Sequence, residues 1–349
     1  MTDVAAAAAL RTAAARYPEM EPTDAVKLLY QAAFGSGHLV RDEEECRRRI
    51  EREWETLTPA DEPVEVIGRF ARLPLAKAKQ DGLSARTVAR LFMDAANAPG
   101  SKEEFHTALT VLEALTEKGE MPFSTDALRT YLAAYRAAGE PSVSHSDTYR
   151  ASYAPSYRLI TATAARLLPV IAAAERALAE KPHVTIAFDG RCASGKTTAA
   201  RLLASVFDAA VIHMDDFFLP RDKRTAERLA EPGGNIDYER VLREIIPYTR
   251  SGAGFSYRAY DCHTGAMRPE PVIVPPSRIL VVEGSYSLHP VFGDYADVRV
   301  FSDVSPDEQL GRIAARGDDA DIFRARWIPL EEKYFDACGV RRRADIVLP

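Results

Sequence analysis

The chain has 349 residues, enough for about two domains at roughly 150 residues each. Hydrophobic residues make up 46% and charged residues 28%, which excludes a largely disordered or collagen-like chain. With 45 Lys and Arg against 51 Asp and Glu, the formal net charge of −6 argues against a generally basic nucleic-acid or membrane-surface binder.

The first half reads as helical. Ala5–Ala9 follows Asp3 and continues to Leu10, Arg11 and Arg16 at helical spacing. Alanine has the highest helix propensity, and no basic segment precedes the run, so it reads as a helix and not as an export signal. Asp24–Phe34 puts Ala25, Leu28, Leu29 and Ala32 on one face, with Tyr30 and Phe34 close by. Glu43–Leu57 is a charged helix with a large solvated surface. Ser84–Ala96 and Ser101–Lys118 follow, and Ser101 with Glu104 fits a capping box. Thr125–Ala138 is another helix, ended by Gly139-Glu140-Pro141. Tyr157–Ala179 reads as a long Ala/Leu-rich helix, kinked at Pro169.

Two polar clusters in this half exceed what packing requires: Phe34-Gly35-Ser36-Gly37-His38 and His145-Ser146-Asp147-Thr148-Tyr149-Arg150, with Tyr153, Tyr157 and Arg158 after it. They fit either a second anion or ligand site, or a glycine cap with a buried hydrogen-bond network. The cap and network carry more weight, and a metal site on His38 and His145 carries least.

The period changes near residue 180. His183–Phe188 is a short apolar run rich in β-branched residues, followed by a helix over Lys196–Phe207 and a second apolar run over Ala209–His213. Asp237–Ile246 is helical, Arg278–Val282 and Asp297–Phe301 are strands, Pro306–Arg316 is a helix, and Asp345–Leu348 is a last strand. Strands alternating with helices mean a mainly parallel α/β sheet. The sequence therefore predicts a mostly α-helical domain over residues 1–180 and an α/β domain over 181–349. Cys46, Cys192, Cys262 and Cys338 lie far apart, without zinc or redox spacing. A reducing compartment follows, and with no apolar run near 18 residues the expected location is the cytoplasm, away from membranes.

The most specific motif is Gly190-Arg191-Cys192-Ala193-Ser194-Gly195-Lys196-Thr197, which fits G-x-x-x-x-G-K-[ST]. Chance alone yields this pattern in about one chain in a hundred. Here a strand precedes it and a helix follows, as phosphate binding needs. Lys196, expected to be exposed at the helix N-terminus, would reach the β- and γ-phosphates of a nucleotide, and Thr197 would ligate Mg²⁺. No N-K-x-D and no LSGGQ-like signature occurs, which argues against a GTPase and a transporter ATPase. After the second strand comes His213-Met214-Asp215-Asp216-Phe217-Phe218, and the third ends in Glu283-Gly284-Ser285-Tyr286. Carboxylates at that sheet edge could deprotonate a hydroxyl or organise a metal, or they could be solvated turn residues.

The run DGRCASGKTT, then HMDDFF, then VVEGSYS, resembles the uridine kinase, phosphoribulokinase and nicotinamide riboside kinase group of P-loop kinases, over about residues 181–349. The resemblance implies an α/β P-loop kinase domain that binds ATP through residues 190–197 and Thr198, with Mg²⁺ held by Thr197 and Glu283. It implies Asp215 as the catalytic base and Phe217 and Phe218 as an aromatic pair at the acceptor pocket; uridine kinases usually carry Tyr where Phe218 stands. Asp237 and Tyr260 fall where nucleoside kinases hold the acceptor, although Asp237 also suits a helix N-cap. His263 does not align with the family histidine, and no partner stands at metal-ligand spacing from it. Arg312 and Arg316, and after them Arg324 and Arg326, fall where related kinases fold a phosphate-closing lid; a solvated charged helix is the alternative. The run Arg341–Arg343 reads as surface. The first half resembles a helical domain found beside bacterial uridine kinase-like domains, which implies no activity. The expected function is ATP-dependent phosphorylation of a hydroxyl on a nucleoside or related sugar-bearing molecule. The alternative is a regulatory ATP-binding module that phosphorylates no small acceptor. Partners are then a small-molecule acceptor and no nucleic acid, with self-association left open.

Overall fold

A computed structural model describes residues 3–37, 42–58, 62–262 and 264–349. The chain divides into two compact units, Met1–Arg166 and Leu167–Pro349. The division falls inside the helix Ala162–Glu180, while the change of sequence period lies near its far end.

The first unit holds α1 (Asp3–Arg16), α2 (Pro22–Phe34), α3 (Glu43–Thr56), β1 (Glu65–Ile67), β2 (Phe70–Pro74), α4 (Leu75–Gln80), α5 (Ala85–Ala96), α6 (Lys102–Glu117), α7 (Thr125–Ala137), α8 (Asp147–Tyr153) and β3 (Tyr157–Thr161). Serine caps start several of its helices: Ser84, Ser101 and Ser124 each accept the backbone N–H three residues on. Helices α3 and α5 pack together, as do α2 and α6. The unit is mostly helical, as the sequence predicts, and also holds a small sheet that the sequence reading does not contain. Strands β1, β2 and β3 form an antiparallel sheet in that order, and all five residues of β2 are buried. Residues Tyr157–Thr161 pair with β2 and do not begin the long helix. Their aromatic and β-branched side chains suit a pleated surface, and this pairing outweighs the alanine-rich helix that follows. That helix, α9 (Ala162–Glu180), runs through Pro169.

The second unit contains β4 (Val184–Gly190), α10 (Lys196–Phe207), β5 (Ala210–His213), α11 (Ala226–Ala230), α12 (Tyr238–Glu244), β6 (Phe255–Tyr257), β7 (Tyr260–Asp261), β8 (Ala266–Met267), β9 (Val272–Val274), β10 (Ile279–Glu283), β11 (Val298–Ser302), α13 (Pro306–Ala315), α14 (Ala320–Ile322), α15 (Ile328–Cys338), α16 (Val340–Arg343) and β12 (Ile346–Leu348). Five strands form one parallel sheet in the order β12-β11-β4-β10-β5. Every residue of β4 and β10 is buried, as a parallel sheet covered on both faces requires. Short antiparallel pairs, β6 with β9 and β7 with β8, lie outside it. The register sets Glu283 beside both Phe188 and His213, so the carboxyl ends of β4, β10 and β5 meet at one edge. Ligand crevices of open α/β sheets form at such an edge. Among the described residues no helix is long and apolar enough to cross a membrane.

Gly190 ends β4 with φ +132°, and a Cβ there would stand 2.1 Å from the Ser302 carbonyl oxygen. We expect Gly190→Ala to destabilise the protein by roughly 2–4 kcal/mol, from backbone strain and displacement of β11. Urea denaturation measures this; a loss within 0.5 kcal/mol would mean that the β4–β11 pair yields without cost.

Candidate functional site

The loop from Gly190 to Lys196 leaves the centre of the sheet and enters α10. Its turn uses left-handed backbone at Ala193 (φ 58°) and Gly195 (φ 95°). Neighbouring elements hold nearly every position. Arg191 N–H donates to Ser302 O, and the Arg191 guanidinium forks onto Glu332 at 2.7 and 3.0 Å while also reaching Asp303 at 2.5 Å. Cys192 N–H donates to Glu331 Oε2 at 3.0 Å, and Glu331 Oε1 accepts the Ser285 hydroxyl at 2.6 Å. Burial, then the charge of Glu331, pushes the Cys192 thiol up to about 12, so it is no nucleophile at neutral pH.

Lys196 is only 8% exposed, contrary to the sequence expectation. Its ammonium donates to the Gly190 and Arg191 carbonyls at 2.7 and 2.8 Å, which satisfies the buried charge. Thr197 Oγ1 donates to the Glu283 carboxylate at 3.2 Å. Glu283 is 4% exposed and also accepts from His213 Nδ1 at 2.5 Å, and that hydrogen bond raises the histidine pKa. A hydroxyl beside carboxylates is a hard-oxygen set that suits Mg²⁺ together with water and phosphate oxygens. No cluster of three His, Cys, Asp or Glu suited to a metal occurs among the described residues.

Beneath the loop lies Asp189. Its carboxylate accepts the N–H groups of Gly190, Tyr286 and Leu288 at 2.7, 3.1 and 2.8 Å and the Tyr334 hydroxyl at 2.8 Å. Complete burial still wins over these donors and lifts its pKa to about 6.

A cleft of about 780 Å³ opens in front of the loop. It is lined by residues of the loop, by Asp215, Phe218 and Glu283, and by Arg312 and Arg316. Asp215 is open to the cleft but crowded on its other sides; this desolvation, then the Glu283 charge, raises its pKa. Asp216 is engaged elsewhere, accepting the Tyr257 hydroxyl at 2.6 Å. Arg312 bridges Glu308 and the Ala193 carbonyl. Of the later arginines, Arg326 lines the cleft and stacks 4.9 Å over Trp327, while Arg324 pairs with Asp321 on the surface.

Asp237 and Tyr260 do not line the cleft. Asp237, 1% exposed, caps α12 by accepting Arg240 N–H and pairs with Lys223. Tyr260 is buried in the β7–β8 pair. The imidazole of His263 lies outside the described residues, as does that of His38. Sequence reasoning missed Glu331, Ser285, Trp327, Arg221, Arg224 and Asn235, all of which line the cleft. The Trp-Ile-Pro-Leu-Glu-Glu run at 327–332 was the one local signal available for Glu331 and Trp327.

In the first unit, Gly35 is the cap residue of α2, and His145 sits in a buried network. Burial lowers the His145 pKa. Neutral His145 then donates from Nδ1 to Asp24 and accepts the Tyr157 hydroxyl at Nε2, each at 2.8 Å. Gln31 carries the network on to Arg72 and Glu65. A cavity of about 260 Å³ borders it, lined among others by Lys27, Ser36, His145 and Tyr157.

No family model matches the chain. A uridine kinase of Halobacterium salinarum is 23% identical over 187 residues, which cover 48% of this chain and 80% of that protein. Over about half its length, the chain resembles uridine kinases. A solved structure described as a "possible uridine kinase" from Bacillus stearothermophilus is 22% identical and aligns with a TM-score of 0.42, covering 53% of this chain and 97% of that one. The parallel five-stranded sheet with its flanking helices fits the α/β architecture of a P-loop kinase domain, preceded by a mostly helical region.

The Asp189 ionisation has a testable sign. A raised carboxyl pKa means that the folded state holds the proton more tightly than the unfolded chain does. The group's contribution to stability is full below the ordinary value of 3.8 and is lost as pH rises through about 6. Wild-type stability minus that of Asp189→Asn should fall by up to roughly 3 kcal/mol between pH 4 and pH 7. Urea titrations at both pH values measure this; a constant or growing difference would contradict it.

Proposed function

We propose that the chain is an ATP-dependent kinase that phosphorylates a hydroxyl of a nucleoside or related sugar-bearing molecule. The observation that carries this reading is convergence: the phosphate loop, Asp215, Glu283, Arg312 and Arg316 border one cleft. The uridine kinase similarity supports the same class of reaction.

In this reading Lys196 leaves its loop carbonyls to meet the β- and γ-phosphates, and the loop amides hold the remaining oxygens. Thr197 and Glu283 would hold Mg²⁺, which, when bound, neutralises charge on the transferring phosphoryl group. Asp215 orients the acceptor hydroxyl and takes its proton late in a loose transition state. Its raised pKa makes it a better base than an ordinary aspartate. Arg312 and Arg316 close on the phosphates with planar, fork-shaped donors. Asp216 supports the turn through Tyr257. An enzyme of this kind, with four free cysteines, would work in the cytoplasm.

The test is ADP release with a panel of nucleosides, ribosides and phosphosugars. Lys196→Ala should abolish turnover and strongly weaken ATP binding. Asp215→Asn should lower kcat roughly 10²-fold or more with little change in MgATP affinity, while Asp216→Asn is milder. Greater damage from Asp216→Asn would reassign the base. ATP hydrolysis that no acceptor raises would favour a nucleotide-operated switch instead.

A further inference from the structure

Past Asp215 the cleft continues into a pocket of about 400 Å³ that contains none of the phosphate-loop residues. Phe218, Arg224, Asn235, Arg326 and Trp327 line both spaces, and Lys333 joins them in the pocket. Among the described residues no aspartate or glutamate lines this pocket.

The cations here differ from several in the unit that are tied to acids. Arg191, Arg228, Arg240, Arg299 and Arg312 are each paired with a carboxylate. Arg224 spends only its Nε, on the Leu219 carbonyl at 2.7 Å, and Arg326 lies over the Trp327 ring. Neither has a carboxylate partner among the described residues. Asn235 gives an independent sign: it is 7% exposed, and its Nδ2, which only approaches the Tyr286 hydroxyl, makes no hydrogen bond of normal length. A buried N–H₂ without an acceptor is costly unless a ligand supplies one. Apart from the Asn235 amide oxygen, which can accept, the polar side chains of this wall thus present donors, while Phe218 and Trp327, 5.9 Å apart, give it apolar area.

A neutral sugar or base both donates and accepts, and would need acceptors from the protein as well. A carboxylate or phosphate monoester only accepts, and arginine meets it with two parallel N–H bonds. We propose that the acceptor is a hydroxyl compound bearing an anionic group, carboxylate or phosphate, which Arg224, Asn235 and Arg326 bind while its hydroxyl faces Asp215. This rests on the kinase reading above and narrows its substrate class.

The test pairs acceptors that differ in charge: glycerol with D-glycerate, panthenol with pantothenate, ribose with ribose 5-phosphate, and uridine as a neutral nucleoside. Full-length protein is assayed for ADP release. Binding of each compound is measured separately by calorimetry in the presence of a non-hydrolysable ATP analogue. At least one anionic member should exceed its neutral partner at least tenfold in kcat/KM, and the carboxylate and phosphate arms tell the two anions apart. Arg224→Gln should raise the KM for that anion tenfold or more while the KM for ATP moves less than twofold. Preference for a neutral compound, or an anion KM indifferent to Arg224→Gln, overturns the proposal. So does failure of every anion to bind wild-type protein at millimolar concentration. If an anion binds in an Arg224-dependent way but nothing is phosphorylated, the kinase reading fails and the anion site stands.

Discussion

One buried carboxylate organises the second unit. Asp189 sits at the carboxyl end of the central strand and gathers three backbone N–H groups and a tyrosine hydroxyl. An isolated charge in this position would be strongly unfavourable; four donors offset most of that cost. The donors come from the start of the phosphate loop, from the turn after β10 and from α15. Asp189 therefore fixes how these three pieces stand to one another. Glu283 lies at the head of the β10 turn, and Glu331 and Glu332 lie on α15, so both sides of the loop inherit their positions from this hydrogen-bond set. Sites built on strand ends and locked from beneath in this way hold their geometry better than sites on free loops.

Charge is distributed unevenly around the cleft. Near the loop three cations have partners: Lys196 the carbonyls, Arg191 two carboxylates, Arg312 Glu308 and Ala193. These contacts hold the loop in shape. Farther along, beyond Asp215, the donors are left without acidic partners. The contrast separates residues that maintain the fold from those that face whatever enters the cleft.

Much of this was legible in the sequence, for physical reasons. A phosphate loop demands glycines, lysine and threonine within eight residues, so the motif is local. A parallel sheet sends the carboxyl ends of its strands to one edge, so Asp215 and Glu283 could be brought there from strand positions alone. What stayed hidden depends on contacts across long chain separations. Glu331 meets an amide 139 residues away, and no local pattern encodes that pairing. The charge of Lys196 was plain, but the carbonyls that bury it were not. Strand β3 was absorbed into a helix, because its five residues adjoin an alanine-rich run and only β2 reveals them as a strand. Asp237 carried two readings; its cap on α12 is present, and its burial keeps it off the cleft wall.

The Gly190 contact with Ser302 also limits how this chain can vary. The loop is pinned at one end by a glycine pressed against the neighbouring strand, and at the other by a lysine tied back onto the loop's own carbonyls. Its length is thereby fixed. A single inserted residue between these anchors would have to bulge into Glu331 or out into the cleft, and the Cys192 amide would lose its bond to Glu331. The exposed turn at residues 269–271, beyond the hydrogen bonds that hold Arg268 to Ala259 and Arg258, can lengthen without disturbing the sheet. Variation in length should therefore gather in that turn, while the seven positions from Gly190 to Lys196 keep their number even where their side chains change.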